Sequence, residues 1–191
     1  MFEPEKKLTR LIRNSLIIVV GILGLWLFAI AAGSPKLVAE KSKIDFVGSK
    51  ASASHKGGFK SFRVEGNIDW GDFAKSSLKI EIDTASIWSD DGGLTSHLKN
   101  RDFFDAEKFP KIQFDATKIE LGSDGTAIVS GRLKMLGQTV DISSPCKFEL
   151  SDVGLVVTSK LSIDRTKWGM NYGQGRVNND VDLSVALVLA R

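Results

Sequence analysis

Apolar and polar residues alternate along most of the chain after Lys43. Successive side chains of a β-strand point to opposite faces, so a period of two predicts strands with one buried face. Eight stretches show this period, and the last is the most regular, with apolar residues at Val181, Leu183, Val185, Leu187 and Leu189. The other seven begin near residues 44, 64, 78, 112, 129, 140 and 157.

Turn-forming residues lie between these stretches, as short hairpins require. They occur as Trp70-Gly71-Asp72, Ser123-Asp124-Gly125, Leu136-Gly137-Gln138 and Asp152-Val153-Gly154. The short links predict an all-β fold in which the strands form an antiparallel meander. Closing this meander into an eight-stranded barrel would remove exposed sheet edges and leave room for one small or elongated ligand. The alternation alone also fits a filled sandwich.

Residues 84–110 interrupt the alternation. Ser89-Asp90-Asp91 is typical of a helix N-cap, which predicts a short helix over Gly92–Lys99. Phe103 and Phe104 follow, and a strand would send these neighbouring rings to opposite faces. We therefore expect a helix and a loop that bury both rings across one end of the barrel.

The N-terminal region has a different pattern. The 22 residues between Arg13 and Lys36 carry no charge, and a helix of that length can cross a hydrocarbon core of about 30 Å. Lys6, Lys7 and Arg10 join Arg13 in front of this segment. Such a basic cluster favours the cytoplasmic side of a membrane, so the rest of the chain is expected on the opposite side.

These features divide the chain into a cytoplasmic tail (1–14), a transmembrane anchor or uncleaved signal (15–33), a linker (34–42) and a β-barrel domain (43–191). The barrel domain is then expected in the periplasm or an equivalent space, tethered by a single-pass helix. The small residues Ala29-Ile30-Ala31 also resemble a signal-peptide cleavage site. Cleavage and secretion to the periplasm are therefore the alternative.

Charge and cysteine content narrow the function classes. The first 14 residues carry most of the formal net charge of +3. The barrel domain is therefore nearly neutral, which disfavours nucleic-acid binding. Cys146 is the single cysteine and cannot form an intrachain disulfide. Its strand-like setting favours a small apolar side chain over a reactive thiol.

Candidate catalytic groups are few. His55 and His97 are the only histidines, and the chain contains no H-E-x-x-H, G-x-S-x-G or C-x-x-C motif. Without such motifs, hydrolase, redox and zinc sites have no support in the sequence. The acidic residues near 90 and 102 suit a helix cap and turns. We therefore expect no catalytic activity, no metal site and no cofactor.

A longer pattern around the predicted helix is specific. It consists of Ser96-His97-Leu98-Lys99-Asn100-Arg101-Asp102-Phe103-Phe104-Asp105, followed by Lys108-Phe109-Pro110-Lys111-Ile112-Gln113-Phe114. This pattern resembles the signature of the YceI-like lipid/polyisoprenoid-binding family. Residues 42–46, 58–62, 131–137 and 163–169 resemble further family motifs in the expected order, although the glycine usual after the second Phe of 58–62 is absent.

The resemblance covers residues 43–191 and implies a lipocalin-like barrel around a long apolar tube. It also implies that the tube binds, stores or transfers a polyisoprenoid, an isoprenoid quinone or a fatty-acyl chain without catalysis. A retained membrane span would depart from family members that are secreted after signal cleavage. The inward-facing residues expected to line the tube are Phe46, Leu78, Ile80, Phe114, Val129, Leu133, Phe148, Leu161 and Val185.

One alternative belongs to another functional class. The chain has 11 Phe, and these rings could fill an eight-stranded interior. The protein would then be a structural or interaction domain with no ligand. A continuous apolar cavity would favour lipid binding, and a filled core would favour the interaction domain. A homodimer is left open by the sequence.

Overall fold

Eleven antiparallel strands and one α-helix make up residues 34–191, the part of the chain that the computed structural model describes. The helix, α1, spans Gly92–Lys99. The strands are β1 (Lys36–Leu37), β2 (Lys43–Lys50), β3 (Ala53–Phe59), β4 (Phe62–Asn67), β5 (Ser77–Asp83), β6 (Ile87–Ser89), β7 (Lys111–Leu121), β8 (Thr126–Met135), β9 (Gln138–Leu150), β10 (Gly154–Asp164) and β11 (Asp180–Ala190). The predicted all-β class with one short helix is confirmed.

All strands belong to one curled sheet with the order β4-β5-β7-β8-β9-β10-β11-β2-β3-β6, and β1 pairs with β11. The β10–β11 hairpin is the longest, and it stays in register from Gly154 opposite Ala190 to Asp164 opposite Asp180. The predicted turn at Leu136-Gly137 is a two-residue hairpin loop. Both residues have positive φ, at 51° and 77°, which is the backbone that matches the twist of the flanking strands.

The predicted number of eight strands is wrong, and the corner formed by β3, β4, β5 and β6 explains most of the difference. Hydrogen bonds continue across the breaks in this corner: Lys60 N–H donates to the carbonyl of Ser86 at 3.2 Å, and Asp83 N–H donates to Ser61 at 2.9 Å. β3 with β4, and β5 with β6, are therefore two long strands that each bend. β4 and β6, the first and the last strand of the sheet order, both lie at this corner.

Strand β3 escaped prediction because its sequence does not alternate. Gly57 lies opposite Phe46 of β2, and a Cβ atom built on Gly57 would lie 2.3 Å from Cζ of the Phe46 ring. Glycine is needed there because a side chain would clash with the ring. The apolar side chain at this position comes from Phe46 of β2, so the sequence of β3 itself shows no apolar alternation.

Residues 36–42, within the predicted linker at 34–42, are part of the fold. Lys36 lies opposite Ala190, and Val38 N–H donates to the carbonyl of Val188 at 2.8 Å. The Ser42 hydroxyl accepts from Val188 N–H at 3.0 Å and donates to the Val38 carbonyl at 2.8 Å. This segment enters the fold at the end of β11 that holds the C-terminus.

The predicted transmembrane helix at residues 15–33 lies outside the described residues. Within residues 34–191, no helix has both the length and the apolar character needed to cross a membrane.

Helix α1 begins where the sequence predicts. The Asp91 carboxylate accepts a hydrogen bond from Leu94 N–H at 2.6 Å, which caps the N-terminus of the helix. Leu98 and Phe103 are buried, and Phe104 packs against the same core. The helix and the loop after it therefore cover one end of the sheet, as expected.

Candidate ligand-binding cavity

Two cavities lie inside the curled sheet and meet at four residues. Ile44, Ile82, Leu133 and Leu183 line both cavities, and we call this set the waist. The cavity next to α1, the outer compartment, has a volume of about 420 Å³. The inner compartment, next to β1 and the C-terminus, has about 140 Å³.

The lining residues change compartment in order along each strand. On β11, Val181 borders the outer compartment, Leu183 the waist, and Val185 the inner compartment. On β10, the inward-facing residues from Leu155 to Leu161 border the inner compartment, and Ile163 borders the outer one. The two cavities therefore follow one another along the strands, and we call them together the tube.

The tube residues predicted from the sequence all point into this interior. The outer compartment contains Phe46, the waist contains Leu133, and the inner compartment contains Leu78, Ile80, Phe114, Val129, Phe148, Leu161 and Val185. A β-bulge between Ala116 and Lys118 shifts the register of β7. As a result Ile119 also faces the inner compartment, which simple alternation from Ile112 would not give.

Alternation could not reveal the part of the outer compartment that lies outside the strands. This part is formed by Leu94, His97 and Leu98 of α1, by Phe103 and Phe104 of the next loop, and by Met170, Tyr172 and Val177 of the loop before β11. The family-like sequence around residues 96–104 marked one of these segments. The loop at 169–179 has no alternating apolar pattern in the sequence.

Three aromatic side chains meet at the mouth, the open end of the outer compartment between α1, the β2–β3 hairpin and residues 169–179. The ring centroids of His97 and Tyr172 are 4.9 Å apart, those of His97 and Phe103 are 5.0 Å apart, and those of Phe103 and Tyr172 are 5.2 Å apart. Tyr172 is 46% exposed. Tyr172 therefore joins the loop at 169–179 to α1 and the loop that follows it.

Both histidines lie at this mouth, and each is hydrogen-bonded to a carboxylate. Nε2 of His97 lies 2.9 Å from Asp102, and Nδ1 of His55 lies 2.9 Å from Asp90. The backbone N–H of Lys56 and the His55 ring together hold the pKa of Asp90 below its ordinary value. The second pair joins β3 to the residue just before the α1 cap, and so fixes the helix over the sheet.

Arg165 organises the loop on the other side of the mouth. The residue is 3% exposed, and its guanidinium donates to the carbonyls of Met170, Tyr172, Val177 and Asn178 at 2.6 to 3.4 Å. Burial lowers the pKa of this guanidinium. Its hydrogen bonds hold the two arms of the loop together. Met170 and Tyr172 are thereby kept against the outer compartment.

Trp168 closes a gap in the wall. β9 and β10 pair only from Leu150 opposite Leu155 to Cys146 opposite Ser159. Beyond Ser159 the turn that contains Trp168 packs against β9. The indole, 1% exposed, donates a hydrogen bond to the Leu133 carbonyl at 2.9 Å. Arg165 and Trp168 thus explain two side chains of the motif at residues 163–169.

A small polar spot lies in the otherwise apolar inner compartment. The hydroxyls of Ser144 and Ser159 are hydrogen-bonded to each other, and the Cys146 thiol donates weakly to the Ser144 carbonyl at 3.6 Å. Burial raises the pKa of the Cys146 thiol. Cys146 is half-buried and not part of a disulfide, so its thiol can report on what fills this compartment.

Metal ligation has no support in the arrangement of side chains. Among residues 34–191, His, Cys, Asp and Glu side chains are nowhere grouped by three or more as a metal ion would need. The polar groups at the mouth are arranged in pairs that stabilise the loops, and the interior offers apolar surface.

Comparison with known sequences gives consistent matches. The sequence model of the YceI-like domain matches residues 36–189. The UPF0312 protein of Pseudomonas putida strain F1 is 31% identical over 142 residues, which cover 69% of this chain and 71% of the relative. The UPF0312 protein VVA0736 of Vibrio vulnificus strain YJ016 is 32% identical over 93 residues, 49% of each chain.

Solved structures share the fold. BcnA of Burkholderia cenocepacia superposes with a TM-score of 0.75 at 22% identity, over 82% of this chain and all of that one. A polyisoprenoid binding domain from Saccharophagus degradans, described as implicated in plant cell wall breakdown, superposes with a TM-score of 0.68 at 17% identity. That match covers 84% of this chain and 99% of the other.

Proposed function

The chain belongs to the YceI-like domain family, and on that premise we propose that it binds, stores or transfers a long-chain apolar lipid without catalysing a reaction on it. The ligand class is a polyisoprenoid, an isoprenoid quinone or a fatty-acyl chain. The observation that carries the proposal is the tube whose two compartments meet at the waist. Its description as a closed, lipocalin-like barrel is part of the same proposal.

Apolar burial supplies the affinity. The inner compartment is lined by apolar side chains apart from Ser76 and the polar spot of Ser144, Cys146 and Ser159. Each methylene group removed from water contributes roughly 0.8 kcal/mol. A long tail therefore gains enough to offset the cost of ordering it, while polar groups at the mouth orient the head group.

The cavity volume also bears on the filled-core alternative. Phe73, Phe114 and Phe148 narrow the inner compartment, which is the part that an interaction domain without a ligand would fill. The outer compartment, at about 420 Å³, is within the range of small-molecule sites. This volume favours the lipid-binding proposal over the interaction domain.

Gly48 offers a test that leaves the fold intact. It lines the outer compartment, and a Cβ atom built on it meets nothing within 4 Å. In the series Gly48→Ala, Gly48→Leu and Gly48→Phe, the side chain grows into empty space. Lipid recovered from the natively purified full-length protein, measured by mass spectrometry, should fall along the series while the melting temperature stays within about 3 °C.

Ser162→Leu is the matched control, because Ser162 is exposed on β10 and belongs to the outward-facing set. It should leave the lipid content at the wild-type level. A wild-type protein without extractable lipid, or a Gly48→Phe variant that retains all of it, would count against the proposal and favour the filled-core domain.

We further propose that residues 15–33 hold the protein at a membrane, with the folded domain in the periplasm or an equivalent space. The support is the uncharged segment between Arg13 and Lys36 and the basic residues before it. Because residues 36–38 are hydrogen-bonded to β11, few residues lie between them and the proposed anchor. The mass of the mature protein, combined with membrane fractionation, tests the proposal: an intact N-terminus in the membrane fraction supports it, and a cleaved soluble form supports secretion.

A further inference from the structure

The charged groups that line the outer compartment are few. Among the described residues, the lining contains Lys50, Asp91 and Arg165, together with the two histidines. An anionic head group such as a diphosphate would need cationic side chains or unpaired backbone N–H groups at this position. The hydrogen-bond partners of each such group decide whether it is available to an anion.

The guanidinium of Arg165 is engaged by the loop before β11. Nε, Nη1 and Nη2 all donate to backbone carbonyls of residues 170–178, and the side chain is buried. Turning it towards a ligand would leave those carbonyls without partners and would release the loop. The residue type best suited to hold a diphosphate is therefore committed to structure.

The N-terminus of α1 is also occupied. Helix N-termini attract anions through their exposed N–H groups, and α1 begins at the outer compartment. The Asp91 carboxylate already accepts from Leu94 N–H at 2.6 Å. A second anion placed there would meet this carboxylate rather than an open set of donors.

Carboxylates surround the remaining polar groups of the mouth. Asp102 is bonded to His97, and Asp90 is bonded to His55. Lys50 is the lining lysine, and it is exposed at the tip of the β2–β3 hairpin. Lys99 and Arg176 lie on neighbouring segments but are exposed and do not contribute to the lining.

We propose that the outer compartment takes an uncharged polar head group, of the class found on prenols and isoprenoid quinones, in preference to a diphosphate. This inference rests on the proposed lipid-binding function. The Tyr172 hydroxyl supplies a neutral hydrogen-bonding group, and the aromatic faces at the mouth suit a neutral planar ring. A diphosphate would bring several negative charges against Asp91 and the histidine-bound carboxylates, with Lys50 as the opposing charge.

The test compares two ligands with the same tail, geranylgeraniol and geranylgeranyl diphosphate, on the full-length protein in lipid nanodiscs. Each ligand is titrated against the rate at which an apolar maleimide labels Cys146, the sole cysteine, which lines the inner compartment. We expect half-protection by the alcohol at a concentration about tenfold lower than by the diphosphate. The difference should narrow at about 1 M salt, where charges are screened over about 3 Å.

The outcomes separate this inference from the function it rests on. Protection by the diphosphate at equal or lower concentration overturns the preference for a neutral head group but leaves lipid binding intact. Protection by neither ligand overturns lipid binding itself.

A gain-of-charge variant tests the same point from the other side. Ala53 lies opposite Lys50 in the hairpin and borders the outer compartment. Ala53→Lys should lower the diphosphate concentration for half-protection about tenfold and leave the alcohol unchanged. Ala53→Met, of similar length without charge, is its control. An unchanged diphosphate titration with Ala53→Lys would show that charge at the mouth does not decide head-group choice.

Discussion

The Arg165 guanidinium donates a hydrogen bond of 2.6 Å to the carbonyl of Met170, five residues further along the chain. The same side chain reaches the carbonyls of Tyr172 and Asn178 on the two arms of the loop. One buried cation thus replaces the backbone pairing that a regular hairpin would provide. The loop can therefore remain irregular and still form a wall of the outer compartment.

Replacing this cation should destabilise the loop at residues 170–178. Arg165→Met keeps much of the apolar stem but leaves buried carbonyls without donors, so we expect a loss of about 3 kcal/mol in the free energy of unfolding. Amides of residues 170–178 should exchange hydrogen faster than those of the β10–β11 hairpin. Arg176→Met, an exposed arginine in the same loop, should change stability by less than about 0.5 kcal/mol. Equal effects of the two variants would contradict the role given to Arg165.

A buried carboxylate on the outer face of β5 makes stability depend on pH. Burial acts to raise the pKa of Glu81, but the hydrogen bond from Gln113 and the charges of Arg63 and Lys111 outweigh it, so the pKa lies below its ordinary value. Because the pKa is lowered in the folded state, the stabilisation is complete above the ordinary Glu pKa of about 4.3 and is lost as pH falls through the folded-state value.

Glu81→Gln removes this titration. We expect it to cost about 1–2 kcal/mol at pH 7 and to give a flatter curve of unfolding free energy between about pH 5 and 3. Glu65→Gln is the control, because Glu65 also pairs with Arg63 but is 54% exposed. Its effect at pH 7 should stay below about 0.5 kcal/mol. Denaturant titrations at several pH values would measure both, and parallel curves for wild type and Glu81→Gln would contradict this interpretation.

Gly131 shows why one glycine of the β8 motif is required. A Cβ atom built there would lie 2.5 Å from the Asp115 carbonyl oxygen and 2.5 Å from Cζ of Phe114. Gly131→Ala should therefore destabilise the fold by about 1–3 kcal/mol, since the backbone of β7 cannot move away easily. Gly48→Ala is the matched control and should be neutral or slightly stabilising. Thermal unfolding of both variants measures the difference, and equal melting temperatures would contradict the requirement for glycine at position 131.

The sequence predicted the parts of this fold in which each strand carries its own apolar face. β11 is the clearest example, because its inward residues are all apolar and the outward residues of its first half, Asp180, Asp182 and Ser184, are polar. The prediction missed β3, because a neighbouring strand supplies the packing there. Gly57 and Gly58 of β3 leave room for Phe46 and for polar groups of β2. A periodicity argument sees only one chain segment at a time, so it cannot detect such a strand.

The candidate site shows the same division. Alternation found the tube residues on the strands, but not Tyr172 and Met170, because their position is fixed by hydrogen bonds from Arg165 rather than by apolar spacing. The division of the interior at the waist was also beyond sequence reasoning. It depends on where inward side chains of β2, β5, β8 and β11 meet in space.

We expect that a long lipid tail must pass the waist, whereas a short one fits in the outer compartment. Leu183→Trp places a larger side chain at a residue that borders both compartments, and should restrict entry to the inner one. Excluding only two methylene equivalents of a tail would cost about 1.6 kcal/mol, or more than tenfold in affinity. Geranylgeraniol should therefore bind at least tenfold more weakly to the variant, whereas geraniol, short enough for the outer compartment, should keep its affinity within about twofold.

The control for this variant is Ser184→Trp, which puts the same ring on the exposed face of β11 and should change neither affinity. Binding is measured by native mass spectrometry, after circular dichroism has established that both variants fold. If both prenols weaken equally in Leu183→Trp, the side chain has disturbed the mouth and not the passage. If neither weakens, the tail does not pass the waist, and the inner compartment belongs to the core of the fold and not to the ligand site.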